Sequence, residues 1–259
     1  MPTAGELEAA LYELAPRELA QSWDNVGLLV GDPDQQVESV LIALDITQAV
    51  VDEAAAKGCG AIVAHHPLMN CAWSPVQNVR MDRPQGKLIA TLLRSGISAI
   101  CVHTNLDSAP GGVNDALAAV LGLREVAPLG EDGIGRIGVL EKEMSLAAFA
   151  AFVQGSLSAG GVRYADGDRP VYRVAVGGGA CGEYAALARD LGCDTFVTAD
   201  LKYHDFQNAP GLGLNLLDAG HYPTENVVCA VLEAFLRSRF PDMTVIRSSV
   251  HGDIIQYQI

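Results

Sequence analysis

Residues 39–46, Ser39-Val40-Leu41-Ile42-Ala43-Leu44-Asp45-Ile46, form an almost unbroken apolar run, the pattern of a strand buried on both faces. An Ala-rich stretch of helical composition follows over residues 48–57. A Gly58-Cys59-Gly60 turn then leads into a second buried strand, Ala61-Ile62-Val63-Ala64. Strand, helix, strand in that order makes the two strands parallel, because a connection long enough to hold a helix crosses over the sheet. The second strand stops on His65-His66-Pro67, where proline ends the pairing. On a strand, neighbouring side chains point to opposite faces. In a turn, two adjacent imidazoles can each reach a different ion of a metal pair about 3.5–4 Å apart. The plainer reading is a capped turn carrying two ordinary imidazoles.

The same grammar continues along the chain. Residues 4–14 read as a helix with Leu7, Leu11 and Leu14 on one stripe, and Trp23-Asp24-Asn25-Val26-Gly27 interrupts the pattern before a strand over 28–30. A helix over 86–94 leads into a strand over 99–102, which ends in His103-Thr104-Asn105-Leu106-Asp107. Gly111-Gly112 opens a helix over 113–121. Between residues 124 and 132 the pattern thins around Pro128 and Gly130, and a domain boundary is placed there. The expected domains are 1–125, with His65, His66 and Asp107, and 126–259, with His221 and Glu225; strands near 243–259 have the option of returning to the first.

Beyond the boundary come a strand near 137–140, a helix over 146–157 and a strand over 171–176. A helix over 183–191, a Gly192-Cys193 turn and a strand over 195–197 then repeat the order seen around Gly58-Cys59. A last buried strand, 214–217, is followed by Asp218-Ala219-Gly220-His221-Tyr222-Pro223-Thr224-Glu225 and an apolar helix to about Phe240. Pro223 suits that helix's first turn, where the helix dipole also favours Glu225. Short strands near 244–246 and 254–257 close the chain. The fold class is α/β, with two similar α/β domains.

Composition excludes several functions. With 49% hydrophobic and 19% charged residues over 259 positions, the chain can bury a sizeable core, so disorder is excluded. Asp and Glu number 31 against 17 Lys and Arg, a formal charge of -14 with no local basic cluster, which disfavours nucleic acid as a partner. No apolar run approaches the roughly 18 residues of a membrane span, and residues 1–20 lack the basic-then-apolar order of a signal peptide. The six cysteines are scattered without a C-x-x-C pair and read as small buried thiols of a reducing compartment, so the cytoplasm is expected.

Three strand-end segments therefore carry His65-His66, His103 with Asp107, and His221 with Glu225. Two bare carboxylates about 4 Å apart would repel by on the order of 4 kcal/mol at an effective dielectric of 20, and a divalent pair would cancel that. Imidazole with carboxylate suits Zn, Mn, Fe or Ni, and the absence of cysteine ligands argues against a closed structural zinc site. Such an ion brings the pKa of its water to about 7, suited to hydrolysis. Residue by residue the plain alternative holds: Glu225 as a helix cap, His103 as a turn residue.

These segments resemble the type 2 GTP cyclohydrolase I, or Nif-three-like dinuclear metal centre, family. The matching stretches are Trp23-Asp24-Asn25-Val26-Gly27-Leu28, His65-His66-Pro67-Leu68, His103-Thr104-Asn105-Leu106-Asp107, Gly111-Gly112-Val113-Asn114-Asp115 and Gly220-His221-Tyr222-Pro223-Thr224-Glu225. The resemblance implies that His65, His66, Asp107, His221 and Glu225 ligate two divalent ions in a cleft between two similar α/β domains (α/β/α layers), in a toroidal homohexamer. It also implies conversion of GTP and water to formate and dihydroneopterin triphosphate. Some members carry an inserted middle domain, for which residues 124–169 are too short. Thr198-Ala199-Asp200 departs from the family's Thr-Gly-Asp. His103 and His204, the latter in Lys202-Tyr203-His204-Asp205, are candidate general acids or bases. Asp24 and Asn25 either line the cleft or form a local turn. His251 reads as structural or solvated.

Other classes stay open. A phosphoesterase or another nucleotide hydrolase would use the same ligands, and a non-enzymatic metal-binding scaffold would use the ring alone. Gly177-Gly178-Gly179-Ala180-Cys181-Gly182 satisfies G-x-G-x-x-G between a strand and a helix, with Asp200 near the acidic position of a dinucleotide site, so an oxidoreductase is a further alternative. The same turn, through Gly178 and Gly179, is also a candidate cradle for a substrate phosphate. Its plain reading is a tight strand-to-helix turn.

Overall fold

The computed structural model describes residues 1–70 and 75–258. Cys71 lies outside them; the other five cysteines are buried. The chain divides into two compact units, Met1–Ala109 with Val228–Gly252, and Pro110–Val227 with Asp253–Ile259.

The first unit opens with helix α1, Ala4–Leu14, started by a reciprocal cap in which Thr3 Oγ1 accepts from Glu6 N and Glu6 returns the bond to Thr3 N. Leu7 and Leu11 are its fully buried stripe. Then come β1 (Gly27–Val30), β2 (Ser39–Ala43), α2 (Gln48–Ala56, capped by Thr47), β3 (Ala61–Ala64), α3 (Pro84–Ser95), β4 (Ser98–Cys101) and the five-residue helix α4 (Thr104–Ser108). A helix, Val228–Arg239, and a strand, Thr244–Arg247, return to this unit. The sheet order is β1, β4, β3, β2, then the returning strand; only β1 is antiparallel to its neighbour.

Both faces of this sheet are covered, which is why its strands are continuously apolar. Leu41, Ala43, Ile62, Ala64, Ala99 and Cys101 alternate onto one face, against Val50, Val51 and Ala54 of α2 and Leu88, Ile89 and Leu92 of α3. The alternate residues Val40, Ile42, Val63 and Ile100 are equally buried, with α1 beside β1 and the returning helix against β2. Each such side chain contributes about 1.5–3 kcal/mol of burial.

The second unit contains α5 (Val113–Val120), β5 (Arg124–Pro128), β6 (Arg136–Met144), α6 (Leu146–Leu157), β7 (Arg163–Ala165), β8 (Val171–Val176), α7 (Ala185–Asp190), β9 (Thr195–Thr198), α8 (Tyr203–Leu212), β10 (Asn215–Asp218) and another five-residue helix, α9 (His221–Glu225). Its sheet runs β5, β6, β8, β9, β10, β7, with β8, β9 and β10 parallel and the rest antiparallel. Val174, Val176, Val197 and Leu217 face Phe149 and Val153 of α6, whereas Ala175, Phe196 and Leu216 face Ala188 of α7 and Ala209 of α8.

The two sheets share a plan. In each, three successive parallel strands (β2, β3, β4 and β8, β9, β10) lie in chain order, and an antiparallel strand that precedes them in sequence flanks the third. The Gly-Cys echo in the sequence belongs to this plan. Both third strands end in a five-residue helix, α4 and α9.

Several expectations change in detail. The run from Pro223 is broken at Asn226 and Val227, so Glu225 is the last residue of α9 rather than part of the long helix's first turn. Residues 254–257 form no strand; Ile254 and Ile255 are exposed, and Tyr257 lies over Gly160 and Gly161 instead of in a sheet. Strands β5 and β7 and helix α8 were not expected. The first two are short or exposed edges, and α8 contains Pro210 and Gly211, which disguise it. Among the described residues no helix is long and apolar enough to cross a membrane.

Candidate metal centre

In the first unit, the turn after β3 is closed by the backbone: the N–H groups of His65 and His66 both donate to Leu44 O, at 3.2 and 2.9 Å. Each imidazole is then oriented through Nδ1. His65 donates to Val102 O at 2.9 Å, His66 to Asp45 Oδ1 at 2.7 Å, and His103 to Asp24 Oδ2 at 2.9 Å. The three rings cluster with centroids 5.0 to 5.6 Å apart, and one donor atom from each lies within 4.8 Å of the others. Asp107 Oδ1 is 3.6 Å from His65 Nε2.

Helix α4 holds Asp107 because Asn105 ties the strand end down, accepting from His103 N at 2.9 Å and donating to Ala15 O at 2.7 Å. Engaging every Nδ1 with a carboxylate or carbonyl leaves Nε2 as the atom each ring presents, the arrangement in which proteins hold metal-ligating histidines.

The second unit repeats this construction. After β10, Gly220 at φ 86 turns the chain into α9, which sets His221 and Glu225 four residues apart on one helical face, Nε2 to Oε2 3.0 Å. His221 Nδ1 donates to Asp200 Oδ2 at 2.7 Å. Asp200 follows β9, as His65 and His66 follow β3, and it adopts φ 54, in the left-handed region. Burial alone would lower the His221 pKa, but the bonds and charges of Asp200 and Glu225 outweigh it and raise it to about 11. A divalent ion bound there must displace that proton.

The glycine turn after β8 is part of the same site. Gly178 N donates to Asn114 Oδ1 at 2.9 Å, and Gly179 N to Thr224 Oγ1 at 3.0 Å. Asn114 is itself placed by its neighbour Asp115, which accepts from Gly111 N and forms a two-pronged pair with the buried Arg136 at 2.8 and 2.9 Å. The N–H groups of Gly178 and Gly179 are thus engaged by side chains of this chain. The same bonds weigh against a dinucleotide pyrophosphate at this turn. Glycine is needed there for space, since a Cβ at Gly179 would meet Glu225 Oε1 at 2.0 Å.

Asp24 lies against His103. Its side chain is fully buried and accepts from His103 Nδ1, Thr104 N and Thr104 Oγ1, so it positions His103. Asn25 Nδ2 donates to Met69 O, and its backbone N–H donates to Asp24 Oδ1, both at 2.8 Å. His204 is exposed in the first turn of α8, its ring against Tyr203. His251 Nε2 lies 3.1 Å from Asp45 Oδ2. Asp45 and Asp200 were missed as supporting residues; each follows a buried strand, which was the available signal.

Burial would raise the Asp24 pKa, but His103 and Thr104 lower it to about 2. A depressed carboxylate stabilises the fold above its unfolded pKa and loses that contribution as pH falls towards 2. Between pH 6 and pH 3, wild type is expected to lose about 1 kcal/mol more stability than Asp24→Asn, read by urea denaturation at each pH.

Fold and side chains together define an α/β protein whose strand ends carry His, Asp and Glu clusters that could hold a metal ion. The donor chemistry fits divalent ions: imidazoles anchored at Nδ1 beside buried carboxylates. The chain belongs to the Duf34/NIF3 (NGG1p interacting factor 3) family, whose description matches residues 2–253. It is 39% identical over 237 residues to a Streptomyces coelicolor protein named GTP cyclohydrolase 1 type 2 homolog, covering 87% of this chain and 82% of that one. A Clostridium perfringens protein of the same name is 34% identical over 222 residues, covering 83% and 84%. Among solved structures, a Bacillus cereus protein related to NIF3 superposes with TM-score 0.93 at 26% identity, covering 100% of this chain and 99% of that one. A Staphylococcus aureus hypothetical protein gives 0.91 at 30%, covering 100% of both.

Proposed function

We propose that this protein is a hydrolase working with two divalent ions, held by His65, His66, Asp107, His221 and Glu225. The observation that carries the reading is the repeated construction: in both units a strand end and a five-residue helix present an Nδ1-anchored imidazole and a carboxylate four residues on, His103 with Asp107 and His221 with Glu225. Bound ions would supply Lewis acidity and a water acidified to a pKa of about 7.

The chain's own groups would handle protons. His103, its Nδ1–H donated to the buried Asp24, presents Nε2 beside His65 and His66, where it would take up or deliver a proton. His204 is the second candidate for that task. Asp24 and Asn25 would line the site, the Asn25 amide held by its bond to Met69 O. The names of the relatives point to GTP as substrate, opened at the guanine imidazole ring to release formate and leave dihydroneopterin triphosphate. A homohexamer in the cytoplasm is part of the same proposal.

The test is metal content by elemental analysis, followed by formate release from GTP and from a panel of other nucleotides and phosphoesters. About two ions per chain with metal-dependent formate release from GTP is the expected result. Turnover only of phosphoesters would replace the substrate, and two ions without any turnover would make the centre part of a binding scaffold.

A further inference from the structure

The segment after the returning strand ends against Asp45, the carboxylate to which His66 Nδ1 donates. Ser248 N donates to Ile42 O of β2 at 2.8 Å. Glu53, buried in α2, then holds the next turn: it accepts from Ser248 Oγ at 2.6 Å, Ser249 Oγ at 2.6 Å and Ser249 N at 3.0 Å. His251 N donates back to Ser248 Oγ at 3.2 Å. So clamped, the side chain of His251 is 8% exposed, and its Nε2 sits 3.1 Å from Asp45 Oδ2 and 3.2 Å from Asp45 N. The other oxygen of the same carboxylate accepts from His66 Nδ1 at 2.7 Å.

Asp45 is the hinge of this chain of contacts. Its side chain is 41% exposed, so packing alone does not hold it in one rotamer. Two imidazoles on its two oxygens do. Without His251, Asp45 can turn into solvent, and the His66 ring loses the partner that fixes its plane and its tautomer.

We propose that His251 is a positioning residue of the metal centre, acting through Asp45 to aim Nε2 of His66, so that residues 248–251 complete the site. This rests on the reading of His66 as a ligand. Partners one step removed from a ligand alter metal affinity about 10- to 100-fold.

The experiment is Zn²⁺ titration of the metal-free full chain against a chromophoric chelator, for wild type, His251→Ala, His251→Gln, Asp45→Ala and the double variant His251→Ala, Asp45→Ala. Thermal unfolding of each metal-free protein and the visible absorption of each Co²⁺ form accompany it. His251→Ala is expected to bind more weakly by up to about 10-fold, the lower end of that range because it acts through Asp45, with an altered Co²⁺ spectrum and little change in Tm. His251→Gln, whose amide can serve either the carboxylate or the N–H of Asp45, is expected to restore most of the affinity. The double variant is expected to be no weaker than Asp45→Ala, because both act on one path.

Wild-type affinity and spectrum in His251→Ala would overturn the positioning role, as would additive losses in the double variant. Failure of wild type to bind Zn²⁺ at all would overturn the reading of His66 as a ligand and this inference with it.

Discussion

Asp107→Asn is expected to reduce divalent metal affinity by more than about 100-fold while leaving the metal-free fold intact. Removing a residue that only supports a ligand typically costs about 10- to 100-fold, so losing a charged ligand exceeds that. The amide is nearly isosteric with the carboxylate, so the packing around α4 and Leu106, which is fully buried, is preserved. The lost quantity is negative charge 3.6 Å from His65 Nε2. In the metal-free protein the buried carboxylate costs desolvation, and the substitution is expected to leave stability unchanged or slightly raised. Isothermal titration with Zn²⁺ and urea denaturation of the same samples check both halves. Unchanged affinity would remove Asp107 from the ligand set.

Gly179→Ala is the second large effect, and it acts from outside the ligand set. At φ +64 a side chain costs about 1–2 kcal/mol, because Cβ approaches the following carbonyl. The added carbon would also stand 2.0 Å from Glu225 Oε1, 2.9 Å from its Cδ and 3.2 Å from His221 Cε1. Glu225 is buried and must swing away, and His221 loses its carboxylate partner. The outcome expected is a metal stoichiometry that falls by about one ion per chain, read by elemental analysis after dialysis. Gly192→Ala is the control: it has φ +82 but open space around it, so it is expected to show the conformational cost and full metal content. Equal metal content in the two variants would show that Gly179 does not set the position of Glu225.

The behaviour of Gly179 illustrates where reading a chain in order reaches its limit. Its turn could be recognised from glycine spacing, and the spacing alone suggested a phosphate or dinucleotide. The partners of the turn, Asn114 for Gly178 and Thr224 for Gly179, come from α5 and α9, and contact with them is decided by the order of strands in the sheet.

What the sequence determined by itself is local. Continuous apolar runs such as β2, β3 and β8 are legible because burial on both faces imposes one composition, and α1 is legible from its stripe of Leu7, Leu11 and Leu14. The residue types of the candidate centre are legible for the same reason, since His65-His66 and the four-residue spacing of His221 and Glu225 are features of neighbouring positions. The supporting shell was decided only by tertiary structure. Asp24 meets His103 across 79 residues, Asp200 meets His221 across 21, and Asp45 meets His251 across 206. Hydrogen bonds of that kind depend on which strand ends lie side by side, and a parallel sheet sets that through crossovers that leave no periodic trace at the carboxylates themselves.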